Sequence, residues 1–139
     1  MGQNLTEQKI FDALDDLEKN NIKVANLIID DNWQSLDNEG AKQFDRGWCE
    51  FEANKKGFPK GLAYTAGEIR DRHPSIQHIA VWHALLGYWG GISKDGEIAE
   101  KYRTKVVKST FNPPGGDDEH AKDLLVVDEP DVQRMYNDF

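Results

Sequence analysis

Asn26-Leu27-Ile28-Ile29-Asp30-Asp31-Asn32-Trp33 runs an apolar segment directly into two carboxylates. Residues 22–29 (IKVANLII) are short, apolar and β-branched. They lack clean alternation, which is the pattern of a strand buried on both faces of a parallel sheet. Residues 76–83 (IQHIAVWH) repeat it and lead into Ala84-Leu85-Leu86-Gly87-Tyr88-Trp89-Gly90-Gly91.

Helical patterns flank these two segments. Thr6 is placed to cap a helix, Leu5 and Ile10 have the spacing of a hydrophobic staple, and Ile10, Leu14 and Leu17 share a face with Phe11 beside them. Asp12, Asp15, Asp16 and Glu18 read as its solvated side, and Asn20-Asn21 as its stop. Leu62, Ala66 and Ile69 predict a second helix, ended by His73-Pro74. Val132, Met135, Tyr136 and Phe139 predict a third, with Pro130 in its first turn. Residues 34–60 read as irregular. From 92 to about 128 no strong periodicity appears, apart from a short extended piece at Val126-Val127 and a surface loop at 112–118.

The order helix, strand, helix, strand, helix predicts right-handed crossovers and a parallel sheet. The helix-to-strand connections are a few residues long. The strand-to-helix connections are roughly ten times longer, against a usual ~2–6 residues for either kind. Active sites of such folds sit at the carboxyl ends of the strands. Chemistry is therefore expected after Ile29 and after Val81, where the unusual residues lie.

Adjacent carboxylates such as Asp30 and Asp31 in a partly dry pocket need polar partners. The vicinal hydroxyls of a sugar supply them, and Trp33 would add an apolar face for a pyranose. The competing reading is a solvated turn, or an N-cap for a short helix. Trp82-His83 ends the second strand, as site residues or as a core pair. Tyr88-Trp89-Gly90-Gly91 reads as a ligand platform, with the glycines allowing close approach, or as a hydrophobic plug. His73, His78, His83 and His120 lack partners at zinc spacing, so no metal is expected. Nothing visible activates Cys49 as a nucleophile, the phosphate-binding glycine patterns are absent, and no cofactor is implied. The stretch Asp117-Asp118-Glu119 reads as a solvated acidic loop.

Composition narrows the partners. The chain has 139 residues, with 17 Lys+Arg against 25 Asp+Glu and a net charge of −8. That balance argues against nucleic acid and against anionic lipid. Hydrophobic residues make up 38%, clustered rather than diluted. No apolar run approaches the ~18 residues of a membrane span. The single Cys49 excludes an internal disulfide and fits a reducing, cytoplasmic compartment.

Residues 26–36 (NLIIDDNWQSL), 80–91 (AVWHALLGYWGG) and 131–139 (DVQRMYNDF), with Phe58-Pro59-Lys60-Gly61-Leu62 between, together resemble one family. It is the raffinose synthase and seed-imbibition-protein group, close to the α-galactosidases of glycoside hydrolase family 36. The resemblance covers nearly the whole chain. It implies a (β/α)8 barrel and retaining cleavage or transfer of an α-galactosyl group through two aspartates. It also implies that Asp30 and Asp31 bind galactosyl hydroxyls, that Trp33 and Trp82 help wall the pocket, and that His83, Tyr88 and Trp89 lie nearby. Asn32 stands where many members have glycine, which is expected to alter that turn slightly.

The family's catalytic aspartates lie on later strands, so the resemblance assigns no catalytic residue to this chain. The Gly2 to Thr6 segment resembles the one that follows the family's first strand. The expectation is then that Met1 is an internal or mis-called start, and the myristoylation pattern of residues 1–6 is discounted. The expectation is a partial (β/α)8 TIM barrel over residues 1–139, with two parallel strands, flanking helices and two long βα loops. It would lack the first strand and the later half of a barrel of ~250 residues. Its parent activity would be that of an α-galactosidase or galactosyltransferase, and the chain alone is expected to be inactive. The rivals are a non-catalytic galactoside-binding module and a free-standing α/β interaction domain, against which exposed strand edges would count. The sequence assigns no oligomeric state.

Overall fold

The computed structural model describes residues 4–111 and 120–138. Its elements, in order, are α1 (Glu7–Lys19), β1 (Asn26–Ile29), β2 (Gln34–Leu36), β3 (Trp48–Ala53), α2 (Gly61–Arg72), β4 (His78–Val81), α3 (Glu97–Lys101), β5 (Thr104–Phe111), β6 (His120–Val127) and α4 (Glu129–Asp138). A 3-10 turn, Gln43–Asp45, lies between β2 and β3. The chain is mixed α/β. Among the described residues it has one parallel pair, β1–β4, and two-stranded sheets β2–β3 and β5–β6, the latter antiparallel. It divides into two compact units, Met1–Ser35 with Glu52–His83, and Leu36–Phe51 with Ala84–Phe139.

In the first unit α1 begins where the sequence places it. Thr6 accepts a hydrogen bond from the Lys9 backbone N–H at 3.2 Å. Asn20 caps the other end, and Asn21 turns the chain at φ 58°. Ile10, Phe11 and Leu14 enter a core with Leu5, Ile29, Trp33, Ala53, Phe58, Ile69 and Ile76. Helix α2 is stopped at His73, whose Nε2 lies 3.1 Å from Asp15 Oδ1 and whose Nδ1 lies 3.0 Å from Glu18 Oε2. β1 and β4 run parallel in the register Asn26↔His78 to Ile29↔Val81.

Two expectations for these strands are corrected. Both strands are shorter than their apolar runs: residues 22–25 carry no strand, because the ladder begins at Asn26, opposite His78. Nor is the sheet covered on both faces. Leu27, Ile29 and Ile79 turn toward the helices, whereas Asn26, Ile28, His78 and Ala80 are exposed, Ile28 at 68%. Among the described residues β1 pairs only with β4, so its other edge has no partner strand.

The stretch read as irregular holds the strands β2 and β3, which pair, and the 3-10 turn between them. The stretch read as aperiodic holds α3 and the β5–β6 hairpin, so Val126-Val127 is the end of an eight-residue strand. The acidic and proline-glycine loop at 112–119 lies outside the described residues.

The second unit is held by polar ties around α4. Asp131, 5% exposed, accepts from the Arg103 backbone N–H at 2.7 Å and from Arg134 Nη2 at 3.0 Å. Tyr102 Oη donates to Asp138 Oδ2 at 2.8 Å. The Arg103 amide first, and then the Arg134 guanidinium, hold the Asp131 carboxyl below its ordinary value. A depressed carboxylate contributes stability that is present above its unfolded value, about 3.9, and lost as pH falls through the folded one. The thermal midpoint should therefore fall steeply below about pH 4, and Asp131→Asn should flatten that limb. An unchanged acid slope in melting curves of the variant would remove Asp131 as the cause.

Candidate functional site

The residues singled out after the two parallel strands fall in both units. Asp30, Asp31, Trp33, Trp82 and His83 belong to the first, and Tyr88 and Trp89 to the second.

In the first unit the carboxyl ends of β1 and β4 are tied together. The ladder extends one bond past the strands, from Trp82 N–H to Ile29 O at 2.8 Å. The Trp82 carbonyl then accepts from Trp33 Nε1 at 2.7 Å and, at 3.5 Å, from Gln34 Nε2. One donor comes from the turn after β1 and the other from the first residue of β2, so both are tied to the end of β4.

Trp33 is 2% exposed and lies in the core. It supports the site from beneath and offers no open ring face to a ligand. Gln34 is also buried, at 1%, and among the described residues its Oε1 accepts no hydrogen bond.

The acid pair lies on top of this support. Asp30 is exposed and Asp31 half-buried. The Asp31 backbone N–H donates to Asp30 Oδ1 at 2.8 Å, and Asn32 Nδ2 donates to Asp31 Oδ1 at 2.9 Å. Asn32 adopts φ 70°, the left-handed region. Glycine enters that region freely, and asparagine is among the few side-chain-bearing residues that tolerate it. The turn therefore keeps a glycine-type conformation with Asn32 in place. His83 is half-buried, and burial pushes its imidazole below the ordinary value. A neutral imidazole offers one donor and one acceptor, which suits a hydroxyl group. Trp82 is half-buried beside it in sequence.

Sequence reasoning missed Asn54, 22 residues from Asn32. Its Nδ2 donates to Asn32 O at 2.9 Å and to Trp33 O at 3.3 Å. Its Oδ1 accepts from Gly57 N–H at 2.6 Å. The only advance signal is an asparagine beside a lysine pair in a loop, which is a common loop composition.

In the second unit Tyr88 is 4% exposed and Trp89 39%, with Trp89 edge-on to Phe44 at 5.5 Å between ring centroids. Tyr88 and Gly91 close a tight antiparallel turn. The glycines there serve the unit's own packing: a Cβ on Gly90 would strike the Arg46 carbonyl, and one on Gly91 would lie 2.5 Å from Leu125 O. The close approach expected for a ligand is made by protein backbone instead. Cys49 is half-buried, and burial raises its thiol above the ordinary value, the opposite of what a nucleophile requires.

Among the described residues no cluster of three His, Cys, Asp or Glu side chains is arranged to hold a metal ion. No described helix is long and apolar enough to cross a membrane.

Residues 2–130 match the family model described as raffinose synthase or seed imbibition protein Sip1. The chain belongs to the raffinose synthase and seed imbibition protein family. Similar curated members include a probable galactinol–sucrose galactosyltransferase 1 of Arabidopsis thaliana, 25% identical over 79% of this chain and 17% of its own length. A galactinol–sucrose galactosyltransferase of Pisum sativum is 29% identical over 63% of this chain and 14% of its own length. A stachyose synthase of the same plant is 28% identical over 88% of this chain and 13% of its own length. The chain thus spans less than a fifth of the length of each of these three relatives. The matched range contains the whole acid-pair turn, both parallel strands and Asn54.

Proposed function

We propose that this chain carries the galactosyl-binding part of a raffinose-synthase-type active site, acting on α-galactosides. One observation carries the reading: two carboxylates close the strand end of β1 where the end of β4 is tied to the same turn. Ionised carboxylates accept hydrogen bonds from vicinal hydroxyls, and a neutral sugar brings no charge to oppose them. Asp30 and Asp31 take the galactosyl hydroxyls, Trp82 and His83 follow β4 at the neighbouring strand end, and Trp33 fixes the Trp82 carbonyl from below. The relatives' names favour galactosyl transfer over hydrolysis as the parent reaction. We also place β1 and β4 as neighbouring strands of a (β/α)8 barrel. Their parallel register, and the helices α1 before and α2 between them, support this.

Asp30 and Asp31 are binding groups here, with no part as nucleophile or acid/base. The purified chain should therefore bind galactose weakly and saturably, and should neither hydrolyse an aryl α-galactoside nor make raffinose from galactinol and sucrose. Titration with galactose and glucose, followed by amide resonances, checks the first point. Galactose should shift the signals of residues 30–32, 82 and 83, and glucose should shift them less. Absence of any galactose response would return the acid pair to a solvated turn. Turnover by the chain alone would overturn the assignment of binding roles only.

A further inference from the structure

We propose that Asn54 and Asn32 form an amide relay that sets the orientation of the Asp31 carboxylate, an inference that rests on the galactosyl-binding reading above. The relay starts at Gly57, whose backbone N–H meets Asn54 Oδ1 at 2.6 Å. A Cβ at Gly57 would lie 2.5 Å from Leu5 O and 2.9 Å from Asn54 Oδ1, so only glycine lets the backbone come this close. With its oxygen fixed, Asn54 points Nδ2 at the Asn32 carbonyl, 2.9 Å away, and at the Trp33 carbonyl, 3.3 Å away. The Asn54 backbone N–H adds a bond to Trp33 O at 2.8 Å. The turn after β1 is thus held on two consecutive carbonyls by one side chain.

Asn32 passes the constraint on. It is 4% exposed, and its left-handed backbone aims Nδ2 at Asp31 Oδ1, 2.9 Å away. An amide donating to one carboxylate oxygen fixes the plane of the group and therefore the direction in which it meets a hydroxyl. Glycine at position 32 would satisfy the backbone but supply no donor. Asn32 therefore does more than tolerate the turn: it adds a positioning contact to the acid pair, and Asn54 is the positioning residue behind it.

The test uses the full chain with Asn32→Gly and Asn54→Asp, reading the Asp31 carboxyl carbon resonance without ligand, the galactose dissociation constant and the thermal midpoint. Asn32→Gly keeps the left-handed turn and removes the donor to Asp31. It should displace the Asp31 resonance and raise the dissociation constant about three- to tenfold with little change in midpoint. Asn54→Asp sets an oxygen against two carbonyls and should displace the same Asp31 resonance from a distance. Should the unsubstituted chain not bind galactose, the sugar-binding reading fails, while a displaced Asp31 resonance in both variants still supports the relay. An unmoved resonance in Asn32→Gly, or a moved one with unchanged galactose affinity, overturns the positioning role.

Discussion

Trp33→Ala should lower the unfolding free energy by about 3–5 kcal/mol, the range for emptying a buried indole site. Trp33 is 2% exposed among Leu5, Ile10, Ile29, Ala53 and Phe58, so little solvent can enter to relieve the void. The indole N–H is also lost, which takes from the Trp82 carbonyl its 2.7 Å donor, shorter than the Gln34 contact at 3.5 Å. Against a whole-domain stability of about 5–15 kcal/mol this is a large share. Trp33→Phe separates the two contributions. It keeps much of the ring volume and removes the donor, so its cost should be nearer 1–3 kcal/mol. Urea unfolding of the three proteins, followed by far-UV circular dichroism, gives both differences. A Trp33→Ala protein within about 1 kcal/mol of the parent would mean that the site collapses freely and that Trp33 is no anchor.

The legible parts of this fold are those written locally. Thr6, Asn20-Asn21 and His73-Pro74 mark helix ends through capping and the pre-proline restriction, and the structure puts α1 and α2 within a residue or so of those marks. Composition reports burial less well than pairing needs. Residues 22–25 are as apolar as a strand, yet they lie before the register that starts at Asn26. The alternation of Cys49, Phe51 and Ala53 with Glu50 and Glu52 was present in the sequence, and β3 occupies it. It was hidden by the glycine, asparagine and charge around it. The β5–β6 hairpin mixes exposures, with Val106 at 62%, so no clean period-two pattern forms.

The site was legible as residue types at a strand end and not as roles. A tryptophan after two aspartates reads as a sugar platform, but whether its ring is offered or buried depends on the core it joins, whose members Leu5, Ile10 and Phe58 no local pattern connects to it. Gly90-Gly91 reads as room for a ligand. The room is filled by the backbone at Arg46 and Leu125, contacts over some 35 to 45 positions of chain. Asn54 acts across 21 and 22 positions through carbonyls, which every residue has. Recognition at the family level does not depend on these roles, because the turn Asp30-Asp31-Asn32-Trp33 is recognised by its residues and not by what each side chain touches.

Asp31→Ala should weaken galactose binding by at least about tenfold, because a hydrogen bond to a charged acceptor contributes about 1.5–3 kcal/mol and tenfold corresponds to about 1.4. Asp30→Ala should weaken it too, with a second effect: Asp30 Oδ1 accepts the Asp31 backbone N–H at 2.8 Å, so its removal also loosens the turn. The double variant should then lose less than the sum of the two single losses, since residues in one hydrogen-bonded turn do not act independently. Stability should hardly change in Asp31→Ala, whose side chain is half-buried and outside the apolar core. Sugar affinity should also be nearly independent of salt, because galactose is neutral and only charge–charge contacts are screened strongly. Calorimetric or resonance titrations at low and high ionic strength measure all of this on one set of proteins. If Asp31→Ala binds galactose as the parent does, the hydroxyls are held elsewhere and the acid pair is a solvated turn. If affinity instead falls steeply with salt, the bound species is charged, and a neutral galactoside is the wrong ligand class for this strand end.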